Sequence, residues 1–207
     1  MNNILDRIAA SNPFLYKKIE YTVIEISSKL AFLQQESLRL KEVSVNHANI
    51  KVVNKSILDW SETEERNCFI LAMEVIDNLA HDMIRYDFES KVPYQAIVSV
   101  DASGNYQESY ELVTSPVIKE YLEFQSNFRP INPLLNENAM LNRRLKSFLW
   151  PFQANLSEAI YLPTNTLKLF QVLKNKFPRH CLCLSDFSFL PESIEGTNAP
   201  VVQRRYE

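Results

Sequence analysis

Three short apolar runs set the terms for what this chain can fold into: Tyr21-Thr22-Val23-Ile24-Glu25-Ile26, Ile50-Lys51-Val52-Val53 and Cys68-Phe69-Ile70-Leu71-Ala72-Met73. Each has the length of a strand, and the first and third read as strands buried on both faces. Ser27 and Ser28 after the first run offer an N-cap. Lys29 to Lys41 then follows as an amphipathic helix, with Leu30, Leu33 and Leu40 among its inward candidates. Strand, helix, strand is the pattern of an open doubly wound α/β sheet, because parallel neighbours need a crossover long enough to hold a helix.

The flanking segments extend this reading. Ile4, Leu5 and Ile8 have helical spacing, and that helix should stop near Ser11, ahead of Asn12-Pro13. Ala96 to Val100 and Tyr106 to Val113 flank Ser103-Gly104-Asn105 and predict an antiparallel hairpin. Helices are expected at about Val117–Gln125 and Glu137–Phe148, with Arg129-Pro130-Ile131-Asn132-Pro133 as a loop between them. A further helix opens at Pro163-Thr164, carries Leu167, Phe170, Leu173 and Phe177, and ends at Pro178. Cys181 to Ser185 reads as a strand, and Pro200 to Gln203 as the start of another. No internal repeat or low-complexity segment interrupts the pattern. A chain of 207 residues can bury one core of ordinary size, so a single domain is expected.

Composition narrows the function. A net charge of −3 leaves no basic footprint, so no nucleic-acid partner is expected. No apolar run approaches the ~20 residues that would span a bilayer. The three cysteines, Cys68, Cys181 and Cys183, fit a reducing compartment. Cys181 and Cys183 alternate on one strand face beside His180, yet a metal normally needs further ligands placed by a turn, so they read as small buried residues and no metal site is expected. Glycine is scarce: only Gly104 and Gly196, where average usage is about 7%. A nucleotide-binding α/β domain needs glycine where the backbone approaches the ligand. The first residues read as the middle of a helical pattern rather than as a cap, a signal peptide or an Arg/Ser-rich presequence, so an upstream segment is expected.

In doubly wound sheets ligands bind outside the carboxyl ends of the strands, and that rule selects the candidates. Glu25 ends the first run; a carboxylate there can accept from both hydroxyls of a ribose, or it can cap the next helix. Asp59-Trp60 follows the second; Asp59 could accept from an adenine amino group, or serve as an N-cap beside a packed Trp60. Glu74-Val75-Ile76-Asp77-Asn78 leaves the third, and its polar side chains would face the reacting end of a cofactor or satisfy a local turn. His81-Asp82 reads as a surface or capping pair, since adjacent residues rarely face one another. His47 takes no role, and Glu62, Glu64, Glu65 and Arg66 read as a solvated face.

Tyr21-Thr22-Val23-Ile24-Glu25-Ile26-Ser27, Ser56-Ile57-Leu58-Asp59-Trp60 and Met73-Glu74-Val75-Ile76-Asp77-Asn78-Leu79-Ala80-His81-Asp82 occur in order along the chain. Leu149-Trp150-Pro151-Phe152-Gln153, Phe177-Pro178-Arg179-His180, Leu184-Ser185-Asp186-Phe187 and Asn198-Ala199-Pro200-Val201-Val202-Gln203 follow them. Together they resemble the mitochondrial complex I assembly-factor family of protein arginine methyltransferases, related to the MidA proteins, and most closely its fungal branch. The resemblance implies a Rossmann-like S-adenosylmethionine methyltransferase fold, a mitochondrial matrix location, and a protein substrate: an arginine on a respiratory complex I subunit. It implies that Glu25 binds the cofactor ribose and Asp59 the adenine, while Glu74, Asp77 and Asn78 line the methyl-donor end. Glu74 and Asp77 are the candidates for orienting or deprotonating the guanidinium.

By the same resemblance, a first strand and glycine-rich loop are expected ahead of Met1, and further strand past Tyr206. Residues 1–207 are thus expected to form one partial domain, with a hairpin and helical insertion at about 93–160. The alternative expectation is a non-catalytic assembly module that has lost cofactor binding. A small-ligand dehydrogenase is more distant, needing the same glycine loop.

Overall fold

The computed structural model describes residues 2–41, 50–128 and 155–187, with no side-chain detail for 2, 3 and 39–41. These residues fall into two compact units. One comprises the chain up to Arg66 together with Val172–Arg179; the other comprises Asn67–Gln171 and the residues from His180.

In the first unit, helix α1 (Asn2–Ser11) ends where Pro13 opens the short α2 (Pro13–Tyr16), with the Asn12 side chain accepting from Leu15 N at 2.9 Å. Strand β1 (Tyr21–Glu25) leads into helix α3 (Ser28–Lys41), and β2 (Ile50–Asn54) pairs with β1 in parallel, Glu25 opposite Asn54. Ser27 caps α3 through Oγ, which accepts from Leu30 N at 3.3 Å. The inward residue of α3 is Ala31, 2% exposed, whereas Leu30 and Leu33 are about half exposed. The expected inward role of Leu30 and Leu33 is therefore corrected: a small residue lets the helix approach its neighbours closely, while the longer side chains project past that contact. Leu40 lies outside the described side chains. A 3-10 turn at Ile57–Asp59 follows β2, and the Trp60 ring packs on Phe177 with centroids 5.6 Å apart.

In the second unit, β3 (Cys68–Met73) pairs in parallel with β8 (His180–Ser185), from Cys68 opposite His180 to Met73 opposite Ser185. The other strands form an antiparallel sheet in the order β6-β5-β4-β7: β4 (Asp82–Tyr86), β5 (Pro93–Val100), β6 (Tyr106–Leu112) and β7 (Ile160–Leu162). The hairpin β5–β6 turns at Gly104, whose φ of 83° suits a residue without a Cβ. Helix α4 (Pro116–Ser126) covers this sheet, and Ile84, Ile118 and Leu162 form its core with Tyr86, Val113, Tyr121, Leu122 and Ile160 packed around them. Helix α5 (Thr164–Lys176), whose residues from Val172 belong to the first unit, begins at a hydrogen bond of 2.5 Å from Thr164 Oγ1 to Asp82.

Two expectations about burial are overturned here. Along β3 only Ala72 is buried, and Phe69 is 83% exposed. Cys181 and Cys183, opposite Phe69 and Leu71, are exposed rather than buried, because no described residue covers that face. Strands β4 and β7 were not expected from sequence. The helix expected at 137–148, the loop at 129–133, the strand at 200–203 and His47 lie outside the described residues. Among the described residues, no helix is long and apolar enough to cross a membrane.

Candidate functional site

Two groups of sequence-selected residues lie at carboxyl ends of parallel strands. The first is Glu25 and Asp59, in the first unit. Glu25 ends β1 half-buried, its Oε1 accepting from Ser27 N at 2.9 Å and its Oε2 from Gln34 Nε2 at 3.4 Å. Both local bonds hold the carboxylate at the start of α3, and a carboxylate with about four acceptor positions keeps capacity for two more donors. The exit of β2 is tied to the same edge: Lys55 N donates to Glu25 O at 3.1 Å, and Asn54 Nδ2 to Glu25 O at 2.8 Å.

Asp59 closes the 3-10 turn and is exposed. It is not the cap; Ser56 is, its side chain accepting from Leu58 N at 3.2 Å. The Asp59 carboxylate is thus left out of the turn's own bonding while the neighbouring Trp60 anchors it. Trp60 Nε1 is a buried donor without an acceptor among the described residues, and Lys55 Nζ stands 5.9 Å from the centroid of the indole. Glu25, Asp59 and the Trp60 ring thus lie at or beyond the carboxyl ends of the adjacent parallel strands β1 and β2.

The second group, Glu74, Asp77 and Asn78, lies in the loop leaving β3, in the second unit. Glu74 has φ 55°, the left-handed region that a residue with a Cβ enters at a cost. Its N–H donates to Ser185 O at 2.8 Å, one step beyond the β3–β8 register. Asn78 Nδ2 donates to Glu74 O at 3.0 Å and to Asp77 Oδ1 at 2.8 Å. The loop therefore uses Asn78 for its own closure, as the turn reading allowed, while leaving the Glu74 and Asp77 carboxylates exposed. Two exposed carboxylates thus stand together at this exit.

Sequence reasoning gave no role to Asp186, which follows β8. Its Oδ2 accepts from Ile76 N at 2.8 Å and Asp77 N at 3.2 Å, and its Oδ1 from Phe187 N at 2.8 Å. Desolvation pushes this carboxyl up, but the backbone N–H groups of Phe187, Asp77, Ile76 and Val75 outweigh it and hold the pKa below the usual carboxylate range. His81 turns to its own loop, Nδ1 lying 3.0 Å from Leu79 O, which agrees with the local role expected for it. Glu64 and Glu20 pair with Arg66 on an exposed face.

Residues 1–207 match, over their whole length, the family model of S-adenosyl-L-methionine-dependent methyltransferases. The chain belongs to that family. Its cofactor is S-adenosylmethionine, as the resemblance implied, and the α/β class with parallel pairs β1–β2 and β3–β8 accords with its Rossmann-like fold. Among curated methyltransferase relatives, the mitochondrial protein arginine methyltransferase NDUFAF7 homolog of Schizosaccharomyces pombe is 23% identical over 206 residues. That match covers 97% of this chain and 43% of the yeast protein, so the chain spans less than half the length of that relative. A crystal structure from Burkholderia thailandensis bound to S-adenosyl-homocysteine is similar at 16% identity and a TM-score of 0.35, over 50% of this chain and 24% of that one. A native structure from the same organism gives 16% identity and a TM-score of 0.36, over 51% and 25%.

Proposed function

We propose that this methyltransferase-family protein transfers a methyl group from S-adenosylmethionine to an arginine side chain of a protein in mitochondria, in the assembly of respiratory complex I. The family match supports the reaction type; the name of the yeast relative supports the arginine, the compartment and, through the resemblance, the assembly role. The observation that carries the reading is Glu25: a half-buried carboxylate at a parallel strand's exit, oriented by Ser27 N, with acceptor capacity remaining.

When bound, the cofactor supplies a methyl group on a sulfonium cation. Glu25 would accept from the two ribose hydroxyls, and Asp59 would accept from the adenine amino group. Asn78 fixes the shape of the loop at the methyl-donor end. The carboxylates of Glu74 and Asp77 would orient a cationic guanidinium, and one of them would take the single proton it loses. The methyl–sulfur bond breaks as the methyl–nitrogen bond forms, and the sulfur keeps the electron pair as S-adenosyl-homocysteine. Positioning and electrostatics account for most of the acceleration in such a displacement.

Titration calorimetry of the full-length protein with S-adenosyl-homocysteine tests the cofactor half. Glu25→Ala should weaken binding by about 10- to 100-fold, the equivalent of losing ~1.5–3 kcal/mol of hydrogen bonding to a charged group. Its unliganded melting temperature should stay near that of the wild type. No binding by the wild type would support a non-catalytic module instead. For the substrate half, label transferred from methyl-labelled S-adenosylmethionine into mitochondrial protein should appear on arginine and fall with Glu74→Gln or Asp77→Asn. Label on another residue type would overturn the arginine assignment.

A further inference from the structure

We infer that Asp186 is the positioning residue for the loop bearing Glu74, Asp77 and Asn78, fixing from the end of β8 the orientation of groups that leave β3. The inference rests on the role proposed above for that loop. Its geometry is independent of the role.

Successive backbone N–H groups that converge form a concavity for an anion. After Glu74 enters the left-handed region, Ile76 N and Asp77 N both point at Asp186 Oδ2, at 2.8 and 3.2 Å. The anion in this concavity is a carboxylate of the chain itself. Its other oxygen, Oδ1, is held by Phe187 N at 2.8 Å, so the carboxylate cannot rotate freely between partners. Glu74 N to Ser185 O anchors the near end of the loop on the same strand, and Asn78 Nδ2 to Glu74 O closes its far end. The backbone carrying Asp77 is thus held by Asp186, and the Asp77 side chain by Asn78 at 2.8 Å. No other described side chain holds the N–H groups of Ile76 and Asp77.

A purely structural aspartate and a positioning one make different predictions. In the full-length protein, Asp186→Ala should speed hydrogen exchange at Ile76 and Asp77 by about tenfold or more, since each loses an acceptor. Exchange at Ile84, buried in the antiparallel sheet, should stay unchanged. Asp186→Asn keeps the shape and one acceptor oxygen, and should restore protection part of the way; it also serves if the alanine variant does not fold. In both variants the S-adenosyl-homocysteine-induced amide shifts at Asp77 and Asn78 should shrink in the same order, wild type over asparagine over alanine.

Unchanged exchange at Ile76 and Asp77 would overturn the inference. So would equal acceleration at Ile84, which would mark a general loss of stability, or ligand-induced shifts at Asp77 and Asn78 that ignore position 186. If the wild type binds no S-adenosyl-homocysteine, the cofactor reading fails by itself, and the exchange rates still decide whether Asp186 sets the loop.

Discussion

Glu74 sits in a conformation that costs a residue with a Cβ about 1–2 kcal/mol, at the exit of β3 and beside the exposed carboxylate of Asp77. Glycine would adopt it without strain but would lose more chain entropy on folding, about 0.5–1 kcal/mol, so the two terms partly offset. Glu74→Gly should therefore leave stability unchanged or raise it by up to about 1.5 kcal/mol in urea unfolding, while methyl transfer drops. A variant destabilised by the change would show that the glutamate side chain supports the fold rather than the chemistry. The placement of Glu25, Glu74, Asp77 and Asn78 at strand exits was legible in the sequence, because the apolar runs of β1 and β3 end just before or at them. The bonding of Asp186 was not: its partners lie 109 and 110 residues earlier, and only the β3–β8 pairing brings them together.

At the scale of elements, β1, β2, β3, β8 and the hairpin were readable from apolar runs and turn chemistry. Strand β4 was not, although it lies inside the antiparallel sheet. Its polar residues break the pattern and are accommodated in place: Asp82 accepts from Thr164, and Arg85 donates to Ser157 O at 3.2 Å and lies over the Tyr110 ring. Strand β7, at three residues, is too short to show a period. Helix α4 shows a related economy. Its N-cap residue, Ser115, makes no side-chain cap bond; Gln95 of β5, 5% exposed, accepts instead from Thr114 N at 3.0 Å and Ser115 N at 2.9 Å. The Gln95 amide also donates to Glu111 and Thr114 Oγ1. Gln95→Leu keeps the volume and orphans those groups, and should cost about 1–3 kcal/mol in denaturant unfolding. A loss below a few tenths would mean that water replaces the glutamine readily.

For the molecule as a whole, apolar runs announced strands but not which faces are covered, since a run apolar at every position fits either face. Phe69, Leu71, Cys181 and Cys183 illustrate this: all read as core from sequence, and all are exposed among the described residues. Function is constrained more sharply by a ligand than by such a face. A ligand that binds only the folded state stabilises it by about 2.7 kcal/mol at 100 times its Kd. S-adenosyl-homocysteine at that level should raise the melting temperature of the full-length protein and slow amide exchange where it is held. Slowing is expected at Glu25–Ser27, where the carboxylate is already oriented, and at Asp59 and Trp60. The proposed roles also require slowing at Asp77 and Asn78, read separately because those residues belong to the other unit. Protection at Glu25 and Asp59 alone would keep the adenosine assignment and remove Glu74, Asp77 and Asn78 from the methyl-donor end. Protection at none of them, with the melting temperature raised, would place the cofactor elsewhere in the protein.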